Sequence, residues 1–418
     1  MKKVIVLVGE SLSANGICAE AIMKELKSNG YKVTCITNKE YKTSNYEVRN
    51  GVKYIRIKPR LINRLNSWCD KHIGYRSWLV NKFSTVINKI KLIIFIPLWP
   101  LISPMYTYRF YKVLKKTYNE EKYNCVISIY TQIDTVIAGC LIKKKHPEVK
   151  FVPYFLDALS GGYGPKIFSN DWVIKRGLKW ERKLLQNADK IIVMKSSQKH
   201  HEKYSKLEKY YSRITVLDIP LIIPKKQEII NTNILDKSKI NLVYIGTIQY
   251  QIRNPRYILE IFKRINVNNC RLTLIGNNNC HEIIKRAQVE SKNEIVVMKR
   301  ISHTYAISVL SNADILVNIG NNISSMVPSK VFEYMSIGKP IISTYSINNE
   351  PSLTYLKRYP LSLTIKEDLE HINEAVLQVE KFIKNSNGKL VDFNVIKDEM
   401  YINTPQAFVD EIKLAIDH

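Results

Sequence analysis

The residues best suited to hold an anionic, hydroxyl-bearing ligand fall in one run, Met326-Val327-Pro328-Ser329-Lys330-Val331-Phe332-Glu333-Tyr334-Met335-Ser336-Ile337-Gly338-Lys339-Pro340-Ile341-Ile342. Pro328-Ser329 sits where a helix begins, with Ser329 as its N-cap. The free N–H groups and dipole of a helix start favour a phosphate. Lys330 adds a mobile positive charge. Glu333, one turn further in, offers a carboxylate that can accept hydrogen bonds from a ribose diol. Gly338-Lys339-Pro340 then ends the helix and opens a strand. Pro-Ser and Lys alone suit any capped helix with solvated charges; the ordered combination is far more specific.

Two further places have suitable chemistry. Gly9-Glu10-Ser11-Leu12-Ser13-Ala14-Asn15-Gly16 joins an apolar run to a helical one. Such a turn either presents backbone N–H groups to a phosphate or simply connects its neighbours. Asp157, in Tyr154-Phe155-Leu156-Asp157-Ala158-Leu159-Ser160-Gly161-Gly162, follows a strand-like run. A carboxylate there either orients or deprotonates a substrate hydroxyl, or caps a loop. His72, His146, His200 and His201 read as surface residues, and His281 and His303 as capping or surface residues. No DxD motif and no His/Asp/Glu cluster with metal-ligand spacing occurs, so no metal or other cofactor is expected.

These residues need elements to position them, and apolar patterning supplies two similar sets. In the first half, strand-like runs cover Lys3–Val8, Tyr31–Thr37, Tyr54–Ile57, Cys125–Ile129, Phe151–Phe155, Lys190–Met194 and Thr215–Leu217. Helices read over Asp134–Lys145 and Lys175–Gln186, and after the Gly9–Gly16 turn. The tract 60–116 reads as a long insertion. The alternation begins again with strands Ile240–Ile245, Arg271–Ile275, Glu294–Val297, Ile315–Ile319 and Pro340–Ser343, each followed by helix. A long helical stretch closes the chain. The fold class is therefore α/β, with two Rossmann-like domains facing across a cleft that holds the ligand. Boundaries read as 1–218 for the first domain, 219–239 for a linker carrying Pro220 and Pro224, 240–395 for the second domain, and 396–418 for a helical tail. A chain of 418 residues is long enough for two such cores.

The charge is uneven. The whole chain has a formal net charge of +27, and residues 1–218 hold 40 Lys/Arg against 17 Asp/Glu. Between 49 and 119 the single acid is Asp70. Such a field attracts nucleic acid, an anionic membrane surface or a phosphorylated substrate. No zinc-finger, RRM or KH signature is present, which argues against nucleic acid. Leu92 to Tyr108 is uncharged and apolar, broken by Pro97, Pro100 and Pro104, and includes Trp99, Tyr106 and Tyr108. It is too short and too interrupted to span a bilayer. Its aromatics and cationic flanks suit a surface-bound patch, and a buried connection is the alternative. Seven scattered cysteines with no CxxC pair suit a reducing compartment.

The run 326–342 closely resembles the PSK-x-FEYM-x-x-GKPII signature of bacterial glycosyltransferase family 4. The resemblance extends over Ala313-Asp314-Ile315-Leu316-Val317-Asn318-Ile319-Gly320-Asn321 and over Tyr244-Ile245-Gly246-Thr247-Ile248 with Arg253-Asn254-Pro255. It is clear over about 240–345 and diffuse over 1–195. It implies a GT-B fold and a nucleotide-sugar donor bound by the C-terminal domain. Arg253 and Lys330, with the helix start at Ser329, would neutralise the diphosphate. Glu333 would hold the ribose, and Gly246 and Gly276 would let the nucleotide approach closely. Asn15 and Gly16 would face the donor from the first loop. Where the family pattern has a further acid, eight positions before Glu333, this chain has Ser325. The resemblance also implies retention of anomeric configuration.

Taken together, the sequence is read as a glycosyltransferase moving a sugar from a nucleotide-sugar donor to a lipid-linked saccharide acceptor in surface-polysaccharide (capsule-type) biosynthesis. Asp157 is its acceptor-side catalytic candidate. The place of action is the cytoplasm, peripherally on the inner face of the plasma membrane. Alternatives are a nucleotide-sugar epimerase or phosphorylase of the same architecture, or an inactive membrane-bound assembly scaffold.

Overall fold

The structure is a computed structural model. It describes residues 1–10, 13–39, 43–69, 72, 74–130, 132–161, 164–165, 167–224, 234–324 and 327–417. Ser325, Asp70 and parts of the Gly9–Gly16 turn, the Asp157 loop and the 219–239 linker lie outside them. The chain divides into two units, 1–220 with 402–418, and 221–401.

The first unit begins with β1 (Lys3–Val8), α1 (Ala14–Ser28), β2 (Lys32–Asn38), β3 (Tyr46–Arg49) and β4 (Val52–Ile57). Three helices follow: α2 (Leu61–Cys69), α3 (Tyr75–Phe95) and α4 (Pro104–Glu120). The unit continues with β5 (Cys125–Tyr130), α5 (Ile133–Lys145), β6 (Lys150–Phe155), α6 (Asn170–Leu185), β7 (Ile191–Met194), α7 (Gln198–Tyr204) and β8 (Ile214–Leu217). The strand order is β3-β4-β2-β1-β5-β6-β7-β8, parallel except for the β3–β4 pair. The central strands are largely apolar and buried because helices cover both faces. Chain direction across the sheet reverses between β1 and β5, so their carboxyl ends form the switch point where ligands of open α/β sheets bind.

The tract 60–116 is three helices. In α4 the residues Tyr106, Phe110, Leu114 and Tyr118, four apart, are buried with Ile5 and Leu7 against one sheet face. α2 and α3 form a hairpin with almost no buried side chains. The stretch 92–108 is thereby divided. Trp99 and Tyr106 are core residues, whereas Leu92, Ile93, Ile94 and Leu98 are exposed. Trp99 packs on Trp172, and its carbonyl accepts from Trp180 Nε1 at 3.0 Å. Among the described residues no helix is long and apolar enough to cross a membrane.

The second unit runs through β9 (Ile240–Ile245), α8 (Arg256–Arg264), β10 (Cys270–Ile275), α9 (His281–Glu290), β11 (Glu294–Met298), α10 (His303–Asn312) and β12 (Ile315–Ile319). Then come α11 (Lys330–Ile337), β13 (Ile341–Tyr345), α12 (Leu353–Leu356), β14 (Ser362–Lys366), α13 (Ile372–Ser386) and α14 (Phe393–Glu399). Its six-stranded sheet has the order β11-β10-β9-β12-β13-β14, all parallel, with the reversal between β9 and β12. The sequence beyond 343 reads as helix but contains β14. Its alternation of Ser362, Leu363, Thr364, Ile365 and Lys366 is the signature of an edge strand.

The last helix, α15 (Pro405–Asp417), returns to the first unit. Ala407, Phe408, Val409 and Ile412 are buried against α1 and β6, with the rings of Phe408 and Tyr154 5.0 Å apart. The segment 396–418, expected as one tail, is thus split between the units.

Candidate active site

The second unit places its candidate residues at the carboxyl ends of its parallel strands. β9 ends in Gly246 and β10 in Gly276, and these glycines lie back to back. Gly276 has φ +144°, and a Cβ there would sit 2.0 Å from the Gly246 carbonyl oxygen. Only a residue without a side chain fits that contact. Gly246 N donates to Ile275 O at 3.0 Å, which keeps the two turns level.

α11 starts beside this edge. Tyr334 is fully buried, and its hydroxyl bonds to the backbone of Ile245: Ile245 N donates to it at 2.9 Å. That contact ties the helix to the strand preceding Gly246. One residue earlier, Glu333 is almost fully buried. Its Oε2 accepts from Lys330 Nζ, and its Oε1 lies 2.8 Å from His303 Nε2 at the start of α10. His303 is therefore not a bystander at a helix end; it is a partner of the carboxylate. The imidazole is largely open to solvent, so the Glu333 group faces outward through it. Ser329 occupies the N-cap position in helical conformation, and its hydroxyl makes no capping bond.

Arg253 is held in a second group. Its Nε donates to Asn321 Oδ1 at 2.6 Å. Asn321, just past β12, is buried, and its N–H donates to Glu350 Oε1 at 3.4 Å. The Glu350 carboxyl also accepts from Ser352 N at 3.0 Å, and burial pushes its pKa up. Asn322 N donates to Ile252 O at 3.1 Å, fastening the Arg253 loop to the β12 turn. Asn321 and Glu350 thus orient the arginine, a role that sequence spacing does not reveal because Glu350 lies 97 residues away from Arg253. The two groups flank the β9–β12 switch point.

In the first unit Asn15 Nδ2 donates to Tyr130 O at 3.1 Å, joining α1 to the end of β5. Gly16 N donates to Ser13 Oγ at 3.1 Å, so that N–H serves the helix cap. Beside them Gly9, Glu10, Arg60, Asn63, Tyr106, Gln132 and Asp134 line a small cavity at the switch point. Asp134 is ion-paired with Arg60 and accepts from Thr107 Oγ1 at 2.5 Å. Glu10, 3.5 Å from Asn63 Nδ2, is the carboxylate that sequence reasoning passed over. Its place directly after β1 was the available signal.

Asp157 is exposed at the carboxyl end of β6. Its loop is anchored from below: Ser160 N donates to Glu181 Oε1 at 2.8 Å, and Ser160 Oγ lies 2.7 Å from His200 Nε2. Tyr210 donates to Glu181 Oε2 at 3.1 Å, and Ser205 links Tyr210 to His201. His201 is buried, against the surface position expected for it. Burial, with His200 adding to it, lowers its pKa to about 4. Among the described residues no group of three or more His, Cys, Asp or Glu is placed to hold a metal ion.

Residues 239–378 match the family model described as Glycosyl transferases group 1. The second unit is a glycosyltransferase domain. No curated protein matches the chain in sequence. Among solved structures, a glycosyltransferase from Rickettsia africae ESF-5 is similar with a TM-score of 0.58 at 12% identity, covering 99% of this chain and 98% of that one. Lipopolysaccharide outer core galactosyltransferase WaaB, in apo form, gives 0.52 at 12% identity over 100% and 99%. Anabaena HepE in complex with UDP-glucose gives 0.50 at 11% identity over 99% and 100%. These likenesses show the fold of the transferase, which is GT-B. Glu333, Lys330, Arg253, Gly246 and Gly276 all fall inside the matched domain.

Proposed function

We propose that this glycosyltransferase takes a nucleotide-sugar donor in its second unit and passes the sugar to a lipid-linked saccharide at the inner face of the plasma membrane. The observation that carries the reading is the Glu333 carboxylate. It is buried yet directed to the carboxyl edge of the sheet, ion-paired with Lys330 and 2.8 Å from His303 Nε2, inside the matched domain. A ribose diol would donate to Glu333, while Lys330 and Arg253 would oppose the diphosphate charge. Gly246 and Gly276, packed against each other at the same edge, would form the turn that the nucleotide lies against. HepE, similar in fold, was crystallised with UDP-glucose, which supports this class of donor.

During transfer the bond from the anomeric carbon to the diphosphate breaks and that to the acceptor oxygen forms. The acceptor proton passes to a base, for which Asp157 is the candidate, and the departing charge rests on Arg253 and Lys330. Retention at the anomeric carbon is the outcome this reading carries. The strongly basic first unit suits an acceptor bearing phosphate.

Thermal shift of the purified protein across UDP-, GDP- and other nucleotide sugars tests the donor. One nucleotide class should raise the melting temperature, and Glu333→Ala should weaken its affinity by about ten- to a hundredfold, the loss of about 1.5–3 kcal/mol for a charged hydrogen bond. Unchanged affinity in a folded Glu333→Ala protein removes the site.

A further inference from the structure

The α2–α3 hairpin displays apolar surface that its own packing does not use. α2 has no buried residue, and in α3 only Ser84 is buried, donating to Asn66 Oδ1 at 2.9 Å. Two bonds between Ser77 and Cys69 close the other end of the pair. The exposed face of α3 carries Tyr75, Leu79, Phe83, Val86, Ile90 and Ile93, with Tyr75 and Ile93 72% and 67% exposed. At about 100° and 1.5 Å per residue these six form a stripe about 80° wide and about 27 Å long. Inside a globular protein such a stripe would face the core; here it faces outward. A continuous apolar face of that extent marks an interaction surface.

Its edges identify the partner. Trp78, Lys82 and Lys89 run along one side, with Lys82 Nζ 3.9 Å from the Trp78 ring centre, and Arg76 begins the other. α3 contains no acidic residue. An apolar stripe bordered by cations and indole is complementary to the boundary between acyl chains and anionic headgroups. A second protein surface has no need of uncompensated positive charge at both rims.

We propose that α3 lies flat in the interface of an anionic lipid bilayer, with its stripe among the acyl chains and Arg76, Lys82 and Lys89 at headgroup level. This rests on the membrane-linked acceptor of the proposed function and names the element that meets the lipid. The root of the hairpin is firmly placed: Arg60 is ion-paired with Asp134, Arg109 Nη1 donates to Pro59 O at 3.1 Å, and Asn63 reaches Glu10. The membrane-seated helix is thereby joined to the carboxyl edge of the first sheet, where an acceptor held in the same leaflet would be presented.

Co-sedimentation of the full chain with phosphatidylcholine vesicles, with and without phosphatidylglycerol as about a third of the lipid, tests this. The protein should bind the anionic vesicles, with a blue shift in tryptophan emission that Trp78→Phe reduces. Phe83→Glu/Ile90→Glu should lower the partition at least tenfold, while its nucleotide-induced thermal shift stays that of the parent. Glu333→Ala should do the reverse, so failure of the donor site and failure of the membrane surface are separable. Equal vesicle binding by the parent and the Phe83→Glu/Ile90→Glu protein overturns the proposal and assigns binding to basic residues elsewhere. No vesicle binding, together with a dimer of the parent that the double variant loses, also overturns it and assigns the stripe to a second copy.

Discussion

Glu333 is legible in the sequence as a carboxylate one turn into a helix, but its environment is not. His303, thirty residues earlier, joins it only because α10 and α11 begin at the same edge of the sheet. Arg253 depends similarly on Asn321. Asn321→Ala would remove the acceptor of Arg253 Nε, and nucleotide affinity should fall about tenfold, or about 1.4 kcal/mol. Isothermal titration that finds parent-like affinity would show that Arg253 needs no such partner. His201 illustrates the opposite error, a polar residue taken for surface. Its burial gives a pH signature: the folded state keeps the imidazole neutral down to about pH 4, whereas the unfolded chain protonates near pH 6.5. The unfolded state therefore binds more protons between these values, and stability contributed by the neutral form is lost as pH falls from about 6.5 towards 4. His201→Gln should flatten that part of the stability–pH curve, measured by denaturant melts at pH 7.5 and 5. Equal slopes would mean that the ring is not protected.

At the scale of elements, the buried parallel strands announced themselves because both faces are covered and nearly every position is apolar. β1, β9 and β12 are examples. β14 did not, since an edge strand with polar residues on alternate positions has no continuous run to detect. α3 was hidden for another reason. Its apolar periodicity is that of an ordinary core helix, and sequence does not show whether such a stripe is covered. The uncharged run 92–108 overlaps this stripe only at its end: 75–95 is continuous helix, and Pro97 and Pro100 fall after it. The turn after β10 makes a sharper statement. Gly276→Ala combines a positive φ with a clash on the Gly246 carbonyl, and should destabilise the second unit by about 2–4 kcal/mol. A melting temperature within a degree of the parent would mean that the two turns can part.

For the molecule as a whole, the repeated strand–helix alternation made two sheets readable, because each sheet needs its own core, and the GT-B class came from the resemblance over about 240–345. The return of α15 to the first unit was not readable: its apolar face has the same pattern whichever unit receives it. Phe408 is the test of that assignment. Phe408→Ala removes a buried ring from the face of β6 and should cost the first unit about 3–5 kcal/mol. Limited proteolysis should then cut within 1–220 well before 221–401; simultaneous loss of both units would contradict the assignment.

The return of α15 also sets an order of events at the ribosome. Residues 221–401 are contiguous and complete once they emerge, whereas the first unit, although translated earlier, lacks Phe408 and Ile412 until α15 emerges. The part of the nascent first-unit core that α15 covers must stay open through synthesis of the entire second unit, so the unit translated first completes its packing after the unit translated second and has the greater need of a chaperone.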